Sequence, residues 1–231
     1  MKKAILNGML AIITIPVILS LSSCKTSGNT DKGNADDTPQ TVEHNYNGHE
    51  YVDLGLPSGI KWATCNIGAT KPEEYGDYFS WGSTTPFIDE KGDNRCTIFK
   101  KSLSELQAAG IINEEGVLNP RYDAARTHWG GTWRMPTHNE IYELCEKCTW
   151  EWIDGDSISG YKITGKNGRS IFLPAVGHMM LHTYYDGING HYWSNTTISD
   201  YHAINLMFSE EGKATITFEA EYGCPIRAVS E

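Results

Sequence analysis

Basic side chains are scarce in this 231-residue chain. Nineteen lysines and arginines stand against 29 acids, a formal charge of −10. That balance argues against a nucleic-acid partner and suits a soluble, exported surface. No segment repeats at a fixed period, which removes solenoid and propeller architectures. Catalytic signatures are missing too. No Gly-x-Ser-x-Gly elbow surrounds Ser194, so a serine triad has no motif behind it. His178, His182, His191 and His202 cluster in the second half, and His178-Met-Met-Leu-His182 has i, i+4 spacing. No glutamate is placed beside that pair for hydrolysis, and its neighbours read as loop after strand. Cys145-Glu-Lys-Cys148 lacks the second ligand pair that a structural zinc site needs. Asp154-Gly-Asp156 departs from EF-hand spacing, with Ile158 at a ligand position, and reads as a turn. No metal and no cofactor is expected.

What is present begins with an export signal. Lys2 and Lys3 precede a mostly apolar run from Ala4 to Leu21, and Leu21-Ser22-Ser23-Cys24 closes it. Small residues before a cysteine form the lipobox of bacterial lipoproteins. Asn7, Gly8 and Pro16 interrupt the run, which makes it a poor permanent span. The alternatives are an ordinary secretory signal or an N-terminal anchor. On the lipobox reading Cys24 is lipidated, and its acyl chains exceed the two-chain threshold for stable anchoring. The expected address is then the bacterial outer membrane, on the cell-surface or periplasmic face. Residues 25–45 are polar, with Gly, Ser, Asn and Pro, and have almost nothing to bury, so a flexible tether is expected. Residues 46–231 are long enough for one domain with a single core.

The domain reads as α+β, with short antiparallel strands and two or three short helices. Two runs, 50–56 and 60–66, flank Pro57-Ser58-Gly59 as a hairpin. Residues 75–81 read as a third strand and 83–101 as loop. Ser102 caps a short helix that Gly110 stops. Asn119-Pro120 starts a second helix, ending at Gly130-Gly131. Thr137 and Glu140 form a capping box for a third, with Ile141, Leu144, Cys145 and Cys148 on one face. Trp133 and Met135 alternate with Arg134 just before it. Asn167-Gly168 lies between two β-rich runs as a hairpin turn. Residues 191–195, then 203–208 and 213–218, read as strands, the last two as a hairpin. Residues 225–229 would be a final edge strand.

Several runs together carry a family likeness. They are Tyr51-Val-Asp-Leu-Gly-Leu-Pro-Ser-Gly-Ile-Lys-Trp-Ala-Thr-Cys-Asn-Ile-Gly68, Tyr78-Phe-Ser-Trp-Gly82, Trp133-Arg-Met-Pro-Thr137, Gly160-Tyr-Lys-Ile-Thr-Gly165, Ile171-Phe-Leu-Pro174, Tyr192-Trp-Ser194 and Pro225-Ile-Arg-Ala-Val229. In this order they resemble the Fibrobacter-type major paralogous domain of lipoproteins in the Bacteroides group. The resemblance implies a C-type-lectin-like fold, distantly similar to formylglycine-generating enzymes. Arg134-Met-Pro-Thr137 with Glu140 is similar to those enzymes' Arg-Leu-Pro-Thr-x-x-Glu signature. Their activity needs a reactive cysteine pair near the C-terminal strands, and here Cys224 stands alone. The proline tripeptides of calcium-dependent lectins are absent, and Trp193-Ser194-Asn195 matches only part of their third motif. Trp62, Trp81, Trp133, Arg134, Thr137, Glu140 and Arg227 are expected to maintain the fold. Cys65 and Cys148 sit in the family-like runs and are candidates for a disulfide, although five cysteines beyond Cys24 leave at least one thiol over.

Binding residues are expected where aromatics mix with amides and acids. Tyr184, Tyr185, Asp186, His191 and Asn195 form that mixture, which combines rigid contact area with adaptable hydrogen bonding. In lectin-like relatives, ligand-binding residues lie on C-terminal strands and loops, where these fall. Asp156-Ser157-Ile158 also matches the short O-glycosylation pattern of the Bacteroides group. The expectation is a non-catalytic module for a glycan or protein ligand, held to the membrane through Cys24. The competing classes are an oxidase of the formylglycine-generating type and an accessory subunit of a surface polymer.

Overall fold

A computed structural model of the chain describes residues 45–87, 97–155, 158–180 and 183–231. These belong to one compact unit, Val42–Glu231. The signal run, Cys24, most of the tether, the Asp156-Ser157 pair and His182 lie outside the described residues. Among the described residues, no helix is long and apolar enough to cross a membrane.

The architecture is α+β, mostly antiparallel. In chain order the elements are β1 (Asn45–Tyr46), β2 (His49–Asp53), β3 (Lys61–Ala63), α1 (Leu103–Ala108), α2 (Ala124–Trp129), α3 (His138–Lys147), β4 (Thr149–Ile153), β5 (Gly160–Thr164), β6 (Ser170–Pro174), β7 (Val176–Met179), β8 (Thr183–Asp186), β9 (Asn189–Trp193), β10 (His202–Ser209), β11 (Gly212–Glu219) and β12 (Val229–Ser230). They make three sheets, in the orders β1-β2-β3-β12, β4-β5-β6 and β11-β10-β9-β7-β8. The β2–β3 hairpin forms with Val52 opposite Trp62. The β5–β6 hairpin forms around Asn167, with Gly168 at φ 81°. The β10–β11 hairpin pairs along eight residues.

Local signals set the helix starts. Ser102 and Glu105 make a reciprocal capping box for α1, and Thr137 and Glu140 make one for α3. The expected second helix is broken in two. A 3-10 turn, Pro120–Tyr122, stops at Asp123, whose extended backbone then starts α2. Asp123 is buried, and its carboxylate accepts from Arg126 N (3.0 Å) and Met135 N (2.9 Å). Those two bonds explain the break, because they tie the start of α2 to the segment before α3.

Three other expectations change. Residues 75–81 form no strand; Phe79 makes only an isolated bridge with Cys224, and Gly76 takes φ 72°. The final strand is Val229–Ser230, so only Val229 of the expected 225–229 run is strand, although Ile226 and Ala228 carbonyls still accept from Ile67 and Ala63. The described cysteines Cys65, Cys145, Cys148 and Cys224 are free, so the Cys65–Cys148 bridge is not made. Cys148 closes α3 against the apolar side chains around Leu144, while Cys65 follows β3 beside Thr64.

The core is two clusters divided by strand alternation. Trp62, Tyr192 and Val229 point into one, with Leu144, Ile163 and Phe208. Ala63, Trp193 and Ala228, each the next or preceding residue, point into the other, with Phe79, Trp81 and Trp133. Indole N–H groups cross-link distant segments: Trp81 to Ser194 O, Trp193 to Phe79 O and Trp133 to Tyr46 O. Arg227 is buried as well. It donates to Asn66 Oδ1 (2.9 Å) and to the carbonyls of Ala63 (3.2 Å) and Thr64 (2.8 Å), joining the last segment to the first hairpin.

Arg134 and Glu140 form a bidentate ion pair. The guanidinium donates to both carboxylate oxygens, at 2.8 and 2.6 Å, and both side chains are largely buried. Burial pushes the Glu140 carboxyl up, but the Arg134 and Thr137 bonds outweigh it and its pKa is lowered. Stability from this group is therefore present above the ordinary pKa of 4.5 and lost as pH falls through the lower folded value. Arg134→Met is expected to lower urea-unfolding stability by about 3 kcal/mol at neutral pH, because it strands a buried carboxylate. Arg134→Lys should recover only part, since a single ammonium cannot make the bidentate bond. Equal stability in all three proteins would contradict this assignment.

Candidate groove beside the β8–β9 turn

Two exposed apolar pairs stand on neighbouring turns: Ile198 and Tyr201, 59% and 51% exposed, between β9 and β10, and Tyr185 and Ile188 on the β8–β9 turn. Ile188 is 60% exposed and Tyr185 is 56% exposed. Tyr185 also takes φ 61°, a left-handed backbone that non-glycine residues rarely adopt. The turn is held by Gly187 N donating to Ala175 O and Ile188 N to Tyr185 O. Gly190 makes the next strand fit. It pairs with Phe208 on one side and Gly177 on the other, and any added methyl would overlap the Phe208 ring.

Gly187, Ile188 and Asn189 form one wall of a groove of about 470 Å³. Trp152 and Asp154, at the end of β4, form another, and Met207 and Ser209 of β10 complete it with Glu210 and Glu211 of the β10–β11 turn. Trp152 stands edge-on to Tyr161, with centroids 5.1 Å apart. The Tyr161 hydroxyl donates to Ser209 O (3.0 Å), which ties the β4-β5-β6 sheet to the β10–β11 turn. Ser159 Oγ donates to Asp154 Oδ1 (3.1 Å). The lining thus mixes apolar side chains with acid, amide and hydroxyl groups, as recognition sites do.

The expected binding residues separate in space. Tyr185 and Asp186 are exposed and lead directly into the groove wall. Tyr184 falls in β8, and its side chain lies outside the described residues. His191 is buried, stacked on Phe218 at 4.6 Å, edge-on to His178 at 5.0 Å, and bonded through Nδ1 to Asn205 Oδ1 at 3.1 Å. Asn195 is also buried. Its amide donates to Met135 O (3.3 Å), its oxygen accepts from Thr196 Oγ1 (3.1 Å), and its backbone N donates to Pro136 O (2.8 Å). It locks the segment before α3 and has no surface to offer a ligand. Trp152, Glu210 and Glu211 had no binding signal in sequence. Thr149–Ile153 does alternate in burial as an edge strand should, and that period marks Trp150 and Trp152 as one face.

The cysteines are placed for packing. Burial raises Cys145 and Cys148 to about 11 and puts Cys224, fully buried, well above the ordinary thiol range. Such thiols are poor nucleophiles at neutral pH. Among the described residues, no group of three or more His, Cys, Asp or Glu side chains is placed to hold a metal ion. No family model, curated protein or solved structure matches the chain.

Burial, then the neighbouring His178, lowers His191 to about 4 from its usual 6.5. The unfolded chain binds this proton where the folded one does not, so stability is full above pH 6.5 and falls as pH drops toward 4. His191→Gln is expected to remove on the order of 2 kcal/mol of the stability difference between pH 7 and pH 4.5, read from urea midpoints. An unchanged difference would mean that His191 is not the group titrating there.

Proposed function

We propose that this chain is a lipid-anchored, extracytoplasmic binding module without catalytic activity, carried by the bacterial outer membrane through Cys24. Its ligand is a glycan or protein, met at the groove between Trp152, Ile188 and Glu210. The observation that carries the reading is the pairing of that groove with an exposed aliphatic and aromatic turn. Ile188 and Tyr185 project from a frame whose backbone groups are bonded beneath them. Exposed apolar side chains rimmed by polar ones mark interaction surfaces. The resemblance to the Fibrobacter-type major paralogous domain, with its C-type-lectin-like fold, supports the same reading, since ligand residues in such folds lie on C-terminal strands and loops. The oxidase alternative asks for a reactive Cys224, and the burial of that thiol weighs against it.

The test is a glycan and protein array probed with the full chain in detergent, beside Ile188→Asp and Tyr185→Ala. Both residues are exposed, so the variants should keep the wild-type circular dichroism. The expected result is binding that falls at least roughly tenfold in Ile188→Asp, as for a central interface contact. A folded chain that binds nothing, or binds equally well in both variants, would move the assignment to a polymer subunit recovered only with its assembly.

A further inference from the structure

Resting on that reading, we infer that the groove takes a basic peptide segment, with a lysine or arginine side chain laid over Trp152 and its charge among Asp154, Glu210 and Glu211. The lining carries three formal negative charges and no lysine or arginine. Its apolar members, Trp152, Ile188 and Met207, suit the methylene stem of such a side chain, which buries its stem and keeps its charged head at a polar rim. The head would meet carboxylates, where charge-assisted hydrogen bonds are strongest. A neutral glycan could also meet Trp152 and donate its hydroxyls to these exposed acids, but it would gain no charge attraction from them. An anionic ligand would be repelled.

The same sheet already shows the contact on a smaller scale. Trp150 lies two residues before Trp152, on the same face of β4, and both rings stand edge-on to Tyr161. Lys213 Nζ sits over the Trp150 ring, 5.0 Å from its centroid. A cation over an indole is favourable here even at a partly exposed site. The groove continues that face to the next indole, and there the lining supplies acids in place of a lysine. The chain's overall charge of −10 would draw a basic segment toward it.

The test is fluorescence anisotropy with the full chain in detergent and three labelled probes: hexalysine, hexaglutamate and cellohexaose. Hexalysine should bind, more weakly as sodium chloride is raised, and hexaglutamate should not. Glu210→Gln with Glu211→Gln should weaken hexalysine roughly tenfold. Glu114→Gln with Glu115→Gln, which removes the same charge from an exposed turn outside the groove, should leave it unchanged. Equal losses in both double variants would overturn the inference, because they would show attraction to net charge alone. Binding of cellohexaose in place of hexalysine, abolished by Ile188→Asp, would overturn the cationic ligand and leave the recognition reading standing. Failure of hexalysine to bind overturns the inference by itself. The recognition reading falls on the array outcomes stated above, a folded chain that binds nothing or binds equally well in both variants.

Discussion

The bidentate pair between Arg134 and Glu140 ties the segment that enters α3 to the first turn of that helix, where the same segment also pairs with the closing strand. Glu140 caps α3 by accepting from Thr137 N at 2.8 Å, and Arg134 pairs its backbone with Val229 in the closing strand. Arg134 therefore bonds the start of a helix through its side chain and the closing strand through its backbone. Removing either partner leaves a mostly buried charge, which costs more than the intact pair contributes. Asp123 supports the junction from the other side, holding Met135 N while it caps α2. Burial raises its pKa against the pull of those backbone N–H bonds.

From that junction the core divides. Adjacent residues on β3, β9 and the closing segment face opposite clusters, so each strand serves both. Tryptophans fill the volume, and the buried indoles of Trp81, Trp133 and Trp193 donate to carbonyls on distant segments. Such bonds fix register as well as volume, because an indole N–H left alone in the core is costly. Arg227 does the same with a charge. Burial depresses its pKa, and it donates to Asn66, Ala63 and Thr64.

The groove is a consequence of this frame. Its walls come from β4, the β8–β9 turn and the β10–β11 turn, which belong to two different sheets. Tyr161 bridges them through its hydroxyl, and Gly190 lets β9 lie close against Phe208. The exposed turn is therefore presented on rigid strands, which keeps the ordering cost of binding small.

The capping boxes at Ser102 and Thr137 and the hairpins at 57–59 and 209–212 follow from residues three to ten positions apart, so the sequence by itself determined them. The α+β class and the structural roles of Trp133, Arg134, Thr137, Glu140 and Arg227 were legible for a related reason: their side chains leave few ways to be satisfied. Only the tertiary structure decided which residues of the aromatic, amide-rich second half are exposed. Asn195 and Tyr185 look alike in sequence as recognition residues. Yet Asn195 is spent on Met135 and Thr196, while Tyr185 is exposed on a left-handed turn with its ring tilted against His178. The break at Asp123, the free thiols of Cys65 and Cys148, and the meeting of Trp152 with Glu210 and Ile188 were likewise out of reach. Each depends on which distant segments pack together, and a local pattern carries no information about that.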